Sequence, residues 1–453
     1  MKRRSFIQQT ALAAGALLAQ KSGAGFFVAS KQPVLIIGAG FAGLSAAYAL
    51  RKKKIPVTVL EARNRIGGRV FSFAPPEANG QVIELGAEWV GASHERLIAM
   101  CEEFKLPLDN NQFDTRLVYK GVFHDKNAWD YSEPWKLKWE ALKKAYPKLT
   151  DAQKRAIDQY DWWRYLVNNG CQGRDLDLRE LLDSTDFGES IRHVSAFGAL
   201  AEYAESSEKN EMDYKIRGGN GKLAEALADA VGREHIKTGM KVQRVVQTGS
   251  GVEVICTDGQ RFKGAKLICT APTFAVKQIQ WQPALPPEVQ RAMNQLQYAR
   301  INKHPLLFAE RFWKDESFDM VTDMPAHYFY HATKNQAGPQ GILISYTIGD
   351  KAAVIANQPD EINSSLALAA LQPGFGNVGG LLQKQWNYYW GNDEYSHGAY
   401  ALYGAGQWFT LMPILRKPHV HTHFAGEHLA DWQGFMEGAI NTGEEAAEKI
   451  IKG

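Results

Sequence analysis

Residues 34–43 read VLIIGAGFAG, and this stretch decides the fold. Its first four residues, Val34–Ile37, form a continuous apolar run, which is typical of a parallel strand covered on both faces. The next six residues have the spacing G-x-G-x-x-G, and apolar residues continue with helical spacing to Leu50. A second apolar run, Val57–Leu60, ends at Glu61. This order of strand, glycine turn, helix and strand predicts a Rossmann-like α/β domain.

The residue types of this segment fit a dinucleotide site. Gly38 permits the tight turn, Gly40 lets the backbone approach a pyrophosphate, and Gly43 allows the helix to pack on the strand. The helix N-terminus then faces the phosphates, where free N–H groups and the helix dipole favour negative charge. Glu61 follows the second strand, where a carboxylate can accept hydrogen bonds from a ribose. A glycine motif alone is weak, but the flanking strands and helix support this interpretation.

A second glycine pair follows and favours a flavin over a nicotinamide. Residues 62–70 read ARNRIGGRV, which places Gly67 and Gly68 among arginines and Arg69 within reach of the pyrophosphate. Together with Glu61, these residues form the extension E-A-R-x-R-x-G-G-R. This extension resembles glutathione-reductase-like flavoproteins and the flavin amine oxidases. The resemblance implies FAD as the cofactor.

Four more segments, widely separated, show the same resemblance. Residues 84–91, ELGAEWVG, are similar to the segment that runs beside the flavin in amine oxidases. Residues 241–245, KVQRV, resemble a strand whose Val242 backbone would hold the adenine. Residues 424–428 and 434–439 read FAGEH and GFMEGA and resemble the second flavin motif, where a helix N-terminus faces the isoalloxazine. Apart from its first 30 or so residues, the sequence is identified as a member of the flavin-containing monoamine oxidase family.

The resemblance implies an α/β fold with a discontinuous domain organisation, of the monoamine oxidase and p-hydroxybenzoate hydroxylase-like kind. A Rossmann-like FAD-binding domain would consist of residues 31–105, 215–300 and 405–453, and an α+β substrate domain of residues 106–214 and 301–404. The implied cofactor-binding residues are Gly38, Gly40, Phe41, Ala42, Gly43, Glu61, Ala62, Arg63, Gly67, Gly68, Arg69, Gly86, Ala87, Glu88, Trp89, Val242, Gly426, Glu427, Gly434, Phe435, Met436 and Ala439.

The residue pattern also separates the two segments of the substrate domain. Residues 130–210 contain repeated Trp, Leu, Lys and Arg and few strand-like runs, which predicts helices. Residues 301–350 contain strand-like runs such as GILISY at 341–346. The first segment is therefore expected to be helical and the second to supply a sheet.

The resemblance implies four catalytic residues. Lys303 ends the stretch YARINK, which resembles the family segment whose lysine holds a water against the flavin. Strand alternation places it on the same face as Ile301, an unusual position for a solvated lysine. Tyr400 and Phe435 resemble the aromatic pair that stands before the flavin ring, although Phe435 replaces the tyrosine commonly found there. Trp390 is implied to pack on the flavin.

The implied reaction is the oxidation of an amine. The flavin would remove hydride equivalents from the carbon next to an uncharged amine, and the imine would hydrolyse to an aldehyde or ketone. Dioxygen, giving hydrogen peroxide, or a periplasmic electron carrier would reoxidise the flavin. The alternatives are a polyamine oxidase, an L-amino-acid oxidase, a carotenoid or porphyrinogen dehydrogenase, and a non-catalytic FAD-holding module.

Two departures from related enzymes refine this expectation. Ala399 stands where animal monoamine oxidases have the cysteine that binds the flavin covalently, so the FAD is expected to be non-covalent. His397 is the nearest residue that could replace this cysteine, but it is displaced from the position by two residues. Trp89 stands where amino-acid oxidases have a carboxylate-binding arginine, which predicts an amine without an α-carboxylate. If Glu88 faces the cavity, it could attract a second ammonium group, so diamines and polyamines stay open.

Other constellations are weaker. His419, His421 and His423 alternate along an expected strand, but the segment leads directly into the flavin motif and no carboxylate accompanies it, so no metal site is predicted. The sequence has no G-x-S-x-G nucleophile elbow. Its net charge of +3 and the lack of long runs of like charge do not suggest nucleic-acid binding. The four scattered cysteines are expected to be buried free thiols, with one disulfide as the alternative.

The N-terminus is interpreted as an export signal. Residues 2–7, KRRSFI, precede an apolar, alanine-rich run from Thr10 to Ala19, a run that is short for a membrane span. The paired arginines predict the twin-arginine route for residues 1–30, and hence the twin-arginine export machinery as a partner and a periplasmic or secreted location. The mature domain would begin near Lys31, with the cleavage site left open. The oligomeric state, a homodimer included, is also open.

Overall fold

A computed structural model describes residues 32–431 and 433–453, so the export signal predicted for residues 1–30 lies outside the described residues. The strand of residues 34–37 is at the centre of a five-stranded sheet in which every neighbouring pair is parallel. The spatial order is Thr422–Phe424, Lys266–Cys269, Val34–Ile37, Val57–Leu60 and Ile236–Lys237. The Rossmann-like fold expected from the glycine motif is confirmed.

Both faces of this parallel sheet are covered. Val34 and Ile36 belong to one apolar cluster, whereas Leu35 and Ile37 belong to another on the opposite face. Four helices share the first cluster with Val34, namely Phe41–Lys52, Glu95–Glu103, Gly221–Val231 and Met436–Lys452. The first and last of these helices are in very close contact, because a Cβ atom on Gly443 would lie 2.1 Å from the Ala42 carbonyl oxygen.

A four-stranded sheet covers the other face. Its strands run in the order Arg261–Gly264, Gly251–Cys256, Val242–Thr248 and Gln280–Gln282. The first three strands are antiparallel, and the last is parallel to its neighbour. Val252 and Val254 pack in the same cluster as Leu35, so apolar side chains join the two sheets.

The second half of the chain supplies most of a large eight-stranded sheet. Seven strands follow one another in the order Leu382–Gln385, Ile301–Phe308, Gly341–Ile348, Tyr328–His331, Phe318–Thr322, Asp114–Tyr119 and Val122–His124, and Tyr388–Tyr389 also pairs with the second of them. Every residue of Ile301–Phe308 and Gly341–Ile348 is buried. The strands expected in residues 301–350 are therefore confirmed.

The helices predicted for residues 130–210 are also confirmed. They are Glu133–Ala145, Asp151–Asp158, Trp162–Asn168, Gly173–Phe187 and Ala196–Glu205. The other helices are Glu95–Glu103, Thr273–Gln278, Pro287–Gln295, Gly349–Ala356, Asp360–Phe375 and Trp408–Leu415. Short strand pairs join Ser72–Phe73 to Ile83–Glu84, Leu108–Asn110 to Tyr214–Ile216, and Gln297–Tyr298 to Ala401–Leu402. Within residues 32–431 and 433–453, no helix is long and apolar enough to cross a membrane.

Candidate active site

A cavity of about 400 Å³ lies at the carboxyl ends of the parallel strands, where Ile37, Leu60 and Thr270 line it. This edge of an open parallel sheet is where such folds bind their ligands. The cavity brings together every predicted cofactor-binding and catalytic residue except Gly43, although these residues come from distant parts of the sequence. The boundaries of the FAD-binding domain and the substrate domain stay predictions.

Gly43 does not line the cavity, but the shape of the glycine turn depends on it. A Cβ atom at this position would lie 1.9 Å from the Gly38 carbonyl oxygen, so a side chain would force the helix away from the strand. Gly38 itself has φ +99°, a conformation that favours glycine. The second glycine pair lies directly against the turn, because Gly40 bridges to Gly67 and a Cβ on Gly68 would lie 3.3 Å from the Gly40 Cα. Without Cβ atoms at Gly38, Gly40, Gly67 and Gly68, the backbone of the turn can approach a pyrophosphate closely.

Glu61 is fixed at the edge of this turn. Its side chain is only 4% exposed. Oε2 accepts a hydrogen bond of 2.7 Å from the Ala39 N–H, and Oε1 accepts one of 2.8 Å from the Arg63 N–H. Each carboxylate oxygen has a second lone pair, so Glu61 can still accept from a ribose hydroxyl.

Arg69 forms a buried ion pair with the second flavin motif. Its Nη1 lies 2.7 Å from Oε1 of Glu427, and Oε2 of Glu427 accepts a 2.8 Å hydrogen bond from the Gly434 N–H. Burial alone would raise the pKa of Glu427, but Arg69 and His428 hold that pKa below its usual range. The Arg69–Glu427 ion pair therefore connects the segment after the strand Val57–Leu60 to the loop before the helix Met436–Lys452. Both segments line the cavity.

Arg63 has a protein partner that the sequence did not indicate. Its guanidinium pairs with Asp393, donates to Ser396 Oγ at 2.8 Å, and lies 5.1 Å from the ring centre of Tyr395. Its main contacts are therefore with residues 393–396, of which Glu394, Tyr395 and Ser396 line the same cavity. The sequence had suggested only a cofactor contact for this side chain.

Lys303 lies inside the protein, as its apolar strand neighbours predicted. It is 3% exposed, and its Nζ donates to the carbonyl oxygens of Gly86 at 2.7 Å and Glu84 at 3.0 Å. Burial lowers the pKa of Lys303, against the opposing effect of the Glu88 carboxylate. The ammonium group therefore holds the segment that was predicted to run beside the flavin, and it lines the cavity itself.

Glu88 lines the cavity, and two lysines of the protein pair with its carboxylate, so its attraction of a second substrate ammonium group stays a prediction. Its Oε1 lies 2.8 Å from Nζ of Lys215, and its Oε2 lies 3.5 Å from Nζ of Lys303. Oε2 also accepts a 3.1 Å hydrogen bond from the Tyr330 hydroxyl. Two lysines of the protein already neutralise this carboxylate. Lys215, which lies 127 residues away in the sequence, is its shortest ion-pair partner.

The predicted aromatic residues lie around the same cavity. Trp390 is buried and donates from Nε1 to the Leu85 carbonyl oxygen at 2.8 Å. The Tyr400 hydroxyl donates to the carbonyl oxygen of Asp186, and the Phe435 ring lies 5.1 Å from the ring of His94 in an edge contact. These contacts fix the three rings, and all three residues line the cavity.

Sequence reasoning missed several residues that complete the cavity wall. They include Thr185, Asp186, Phe187, Glu202, Glu211, Tyr328 and Tyr346. No local signal marked them, because they come from the helices Gly173–Phe187 and Ala196–Glu205, a loop and strands of the large sheet, and their patterns are those of ordinary core elements. Only the tertiary fold brings them to the cavity.

The histidine pattern near the flavin motif was misread. The strand begins only at Thr422, and Val420 has φ +54°, so residues 419–421 form a turn and their side chains do not alternate. His419 Nε2 contacts the Pro283 carbonyl oxygen at 2.9 Å, and His421 Nε2 contacts that of Thr248 at 2.7 Å. In the part of the chain that the structure describes, no group of three or more potential ligands could hold a metal ion. All four cysteines are buried free thiols.

The donor set of this cavity fits FAD. Two glycine pairs form a cradle that a Cβ atom would fill, the Glu61 carboxylate lies beside the glycine turn where it could accept from a ribose, and the helix Met436–Lys452 begins at the cavity. An FAD-binding oxidoreductase is the class of protein that this fold and site define.

The comparisons with known proteins identify the family. The model of the flavin containing amine oxidoreductase family matches residues 41–451. The chain therefore belongs to that family, as its motifs predicted. It is a flavin-dependent amine oxidase, and its cofactor is FAD.

Several relatives match over nearly the whole chain. The flavin-containing amine oxidase A of Equus caballus is 25% identical over 455 residues, which cover 92% of this chain and 84% of the relative. An L-amino acid dehydrogenase of Synechocystis is 24% identical over 456 residues, with coverage of 92% and 94%. Among solved structures, putrescine oxidase bound to putrescine has a TM-score of 0.84 and 22% identity, and covers 93% of this chain and 99% of its own. At this identity the structural similarity shows the shared fold.

Proposed function

We propose that the protein oxidises an amine without an α-carboxylate to the imine, which then hydrolyses to an aldehyde or ketone. One observation carries the proposal: Lys303, Trp390, Tyr400 and Phe435 line the same cavity as the nucleotide-binding glycines. When bound there, FAD accepts hydride equivalents from the carbon next to the nitrogen and passes its electrons to dioxygen, giving hydrogen peroxide, or to a periplasmic carrier.

The side chains of the cavity supply binding and orientation. Tyr400 and Phe435 present aromatic faces to the amine and limit the directions from which it can approach. Lys303 is a fixed positive charge on the cavity wall and stabilises negative charge that develops near it. The N-terminus of Met436–Lys452 directs free N–H groups and the positive end of its dipole to the same region.

Anaerobic addition of amines to the FAD-loaded protein tests the proposal. A panel of monoamines, diamines and amino acids is mixed with the protein under argon, and the flavin absorbance is recorded. We expect at least one monoamine to bleach the flavin, because an amine oxidase reduces its cofactor without dioxygen. A flavin that no amine bleaches, in protein with a full FAD content, would favour the alternative of a non-catalytic FAD-holding module.

The electron acceptor and the location are part of the proposal and are tested separately. The paired arginines at positions 3 and 4 support export by the twin-arginine route to the periplasm. Fractionation of cells that produce the wild-type chain or the Arg3→Lys/Arg4→Lys variant shows whether export needs both arginines. Admission of air to the amine-reduced protein, with hydrogen peroxide measured, distinguishes dioxygen from a carrier as the acceptor.

We predict that the FAD is held without a covalent bond. Ala399, which lines the cavity beside Tyr400, has no nucleophile, and the four cysteines lie buried in other parts of the fold. The ring of His397 packs 4.3 Å from the ring of Phe274. Acid precipitation should therefore release the yellow colour into the supernatant. Colour that stays with the precipitated polypeptide would contradict this prediction.

We also predict that an amine reduces the flavin faster than the amino acid from which it is derived. Arg63 and Arg69 are the arginines among the described cavity-lining residues, and each pairs with a carboxylate of the protein. Trp89 offers a single N–H, so a substrate carboxylate would lose its hydration without compensation. We expect at least about a 10-fold difference in reduction rate at equal concentration, the scale of one imperfectly compensated polar group. An amino acid that reacts as fast as the amine would show that another group binds the carboxylate.

A further inference from the structure

We propose that Asp186 accepts the proton of the incoming substrate ammonium group, so that the amine meets the flavin in its uncharged form. The inference rests on the proposed function and deepens it. An alkyl amine is a cation near neutral pH, whereas loss of hydride equivalents from the neighbouring carbon needs the nitrogen lone pair. A base in the cavity removes this conflict, because it lets the abundant cationic form bind and then react.

The partners of the cavity carboxylates exclude most other candidates. Glu427 pairs with Arg69, Glu88 with Lys215 and Lys303, and Glu394 with Lys241. Glu61 accepts two backbone N–H groups of the nucleotide-binding turn. Glu211 accepts from Ser93 Oγ and the Ser207 N–H, both at 2.7 Å, and lies 3.3 Å from His94. Each of these groups already has structural partners in the protein that occupy its carboxylate.

Asp186 differs because neutral groups bind only one of its two carboxylate oxygens. Its Oδ2 accepts from the Tyr203 hydroxyl at 2.7 Å and from Asn210 Nδ2 at 2.8 Å, while Oδ1 accepts no hydrogen bond within the described residues. Arg179 on the same helix is a nearby cation, but it pairs with Asp183 at 3.2 Å. One oxygen of the Asp186 carboxylate is therefore fixed by donors, and the other is left for a ligand.

Asp186 lies next to Tyr400, one of the two aromatic residues expected to stand before the flavin ring. Its backbone carbonyl accepts the hydrogen bond of the Tyr400 hydroxyl, and both residues line the cavity. The titratable and charged groups around Asp186 are Asp183 and Arg179 on its own helix, Tyr203 and Glu202 on Ala196–Glu205, Tyr131 before the helix Glu133–Ala145, and Tyr328, Tyr346 and Tyr400 of the cavity wall. Apart from Arg179, which is paired with Asp183, none of these groups is a cation, and Lys303 on the cavity wall is paired with Glu88.

The chemistry of the group suits this role. Burial raises the pKa of Asp186 to about 7, so the carboxylate is half ionised near neutrality and can both take up and return a proton. In the step, an N–H bond of the ammonium breaks and an O–H bond to a carboxylate oxygen forms. The nitrogen keeps the electron pair, and an ion pair becomes a neutral pair, which a poorly solvated cavity favours. The step needs no oxidant or other reactant.

Anaerobic stopped-flow reduction with benzylamine over a range of pH tests the inference. For the wild type, we expect the ratio of the reduction rate constant to the dissociation constant to fall as the pH drops below about 7, where Asp186 becomes protonated. For Asp186→Asn, we expect this ratio to be about 10²-fold lower near neutral pH, the scale of a lost general base. The variant should approach the wild type above the pKa of benzylamine, because the free base then needs no acceptor.

Two further variants make the result specific. Asp319→Asn is the matched control. Asp319 is also buried, burial raises its pKa to about 7, and it accepts hydrogen bonds from Tyr328 and Thr115. Unlike Asp186, it does not line the cavity. It should keep the wild-type pH profile. Glu202→Gln tests the other carboxylate near Tyr400. The inference is overturned if Asp186→Asn keeps the wild-type profile, loses rate equally at every pH, or is matched by Glu202→Gln. A wild type that no amine reduces would refute the proposed function instead.

Discussion

The Lys303→Met variant should reduce its flavin with amine, or reoxidise it, about 10²-fold more slowly than the wild type, the effect expected for removal of one preorganised charge from an active site. Methionine fills a similar volume but carries no charge and donates no hydrogen bond. The carbonyl oxygens of Glu84 and Gly86 would lose their donor, and Glu88 would keep only Lys215 as a cationic partner. The measurement is stopped-flow absorbance of both half-reactions.

Lys334→Met is a suitable control for this experiment. Lys334 is also largely buried, its Nζ donates to the Gln112 carbonyl oxygen, and burial lowers its pKa in the same way. It does not line the cavity. The control should therefore show a comparable loss of stability with unchanged half-reactions. Unchanged rates of both half-reactions in Lys303→Met itself would show that this lysine only supports the segment 84–86.

The parts of the fold that were predictable depend on local patterns. The strand, glycine turn and helix of residues 34–52 lie within one short segment, and their residue types permit few other conformations. The helices of residues 130–210 and the strands of 301–350 were also predictable, because their periodicity reflects one buried face. The cofactor-binding residues could be proposed because the motifs that contain them resemble those of a known family.

The pairings within the site could not be predicted, because they depend on contacts between distant residues. Nothing near Glu88 indicates that Lys215 neutralises it, and nothing near Arg63 indicates Asp393. Asp186 lies on a helix whose pattern shows only ordinary burial. The strand expected for His419–His423 was wrong for a local reason. The alternation of histidines suggested a strand, whereas Val420 has a positive φ, which is rare for a β-branched residue.

Arg69→Met should destabilise the protein strongly and reduce its FAD content. The variant would leave the Glu427 carboxylate, which is 7% exposed, without its cationic partner. Removal of one member of a buried ion pair costs about 3–5 kcal/mol, because the remaining charge is buried without compensation. Glu427 also accepts from the Gly434 N–H, so the loop before the last helix should lose order at the same time. Unfolding by urea and the flavin absorbance of the purified protein measure the two effects.

The Arg69→Met/Glu427→Gln double variant separates loss of the ion pair from loss of a cofactor contact. If the cost comes from the buried charge, the neutral glutamine should recover much of the unfolding free energy that Arg69→Met alone loses. If Arg69 contributes mainly through the pyrophosphate, the stability without added FAD should change little in the single variant. In that case, only the dissociation constant of FAD should increase.

The pH dependence of the single variant provides the sharper test. In the wild type, Arg69 holds the pKa of Glu427 below its usual range, so the pair stabilises the fold above the ordinary carboxyl pKa and is lost as the pH falls. Without Arg69, the largest effect that opposes burial is gone, and we expect the pKa of Glu427 to rise above its unfolded value even though His428 and the Gly434 N–H still lower it. The folded variant then binds a proton that the unfolded chain does not bind, so its deficit relative to wild type should shrink as the pH falls from slightly alkaline to mildly acidic. A deficit that stays constant over this range would show that the lost stability comes from the packing of the Arg69 side chain and not from the charge of Glu427.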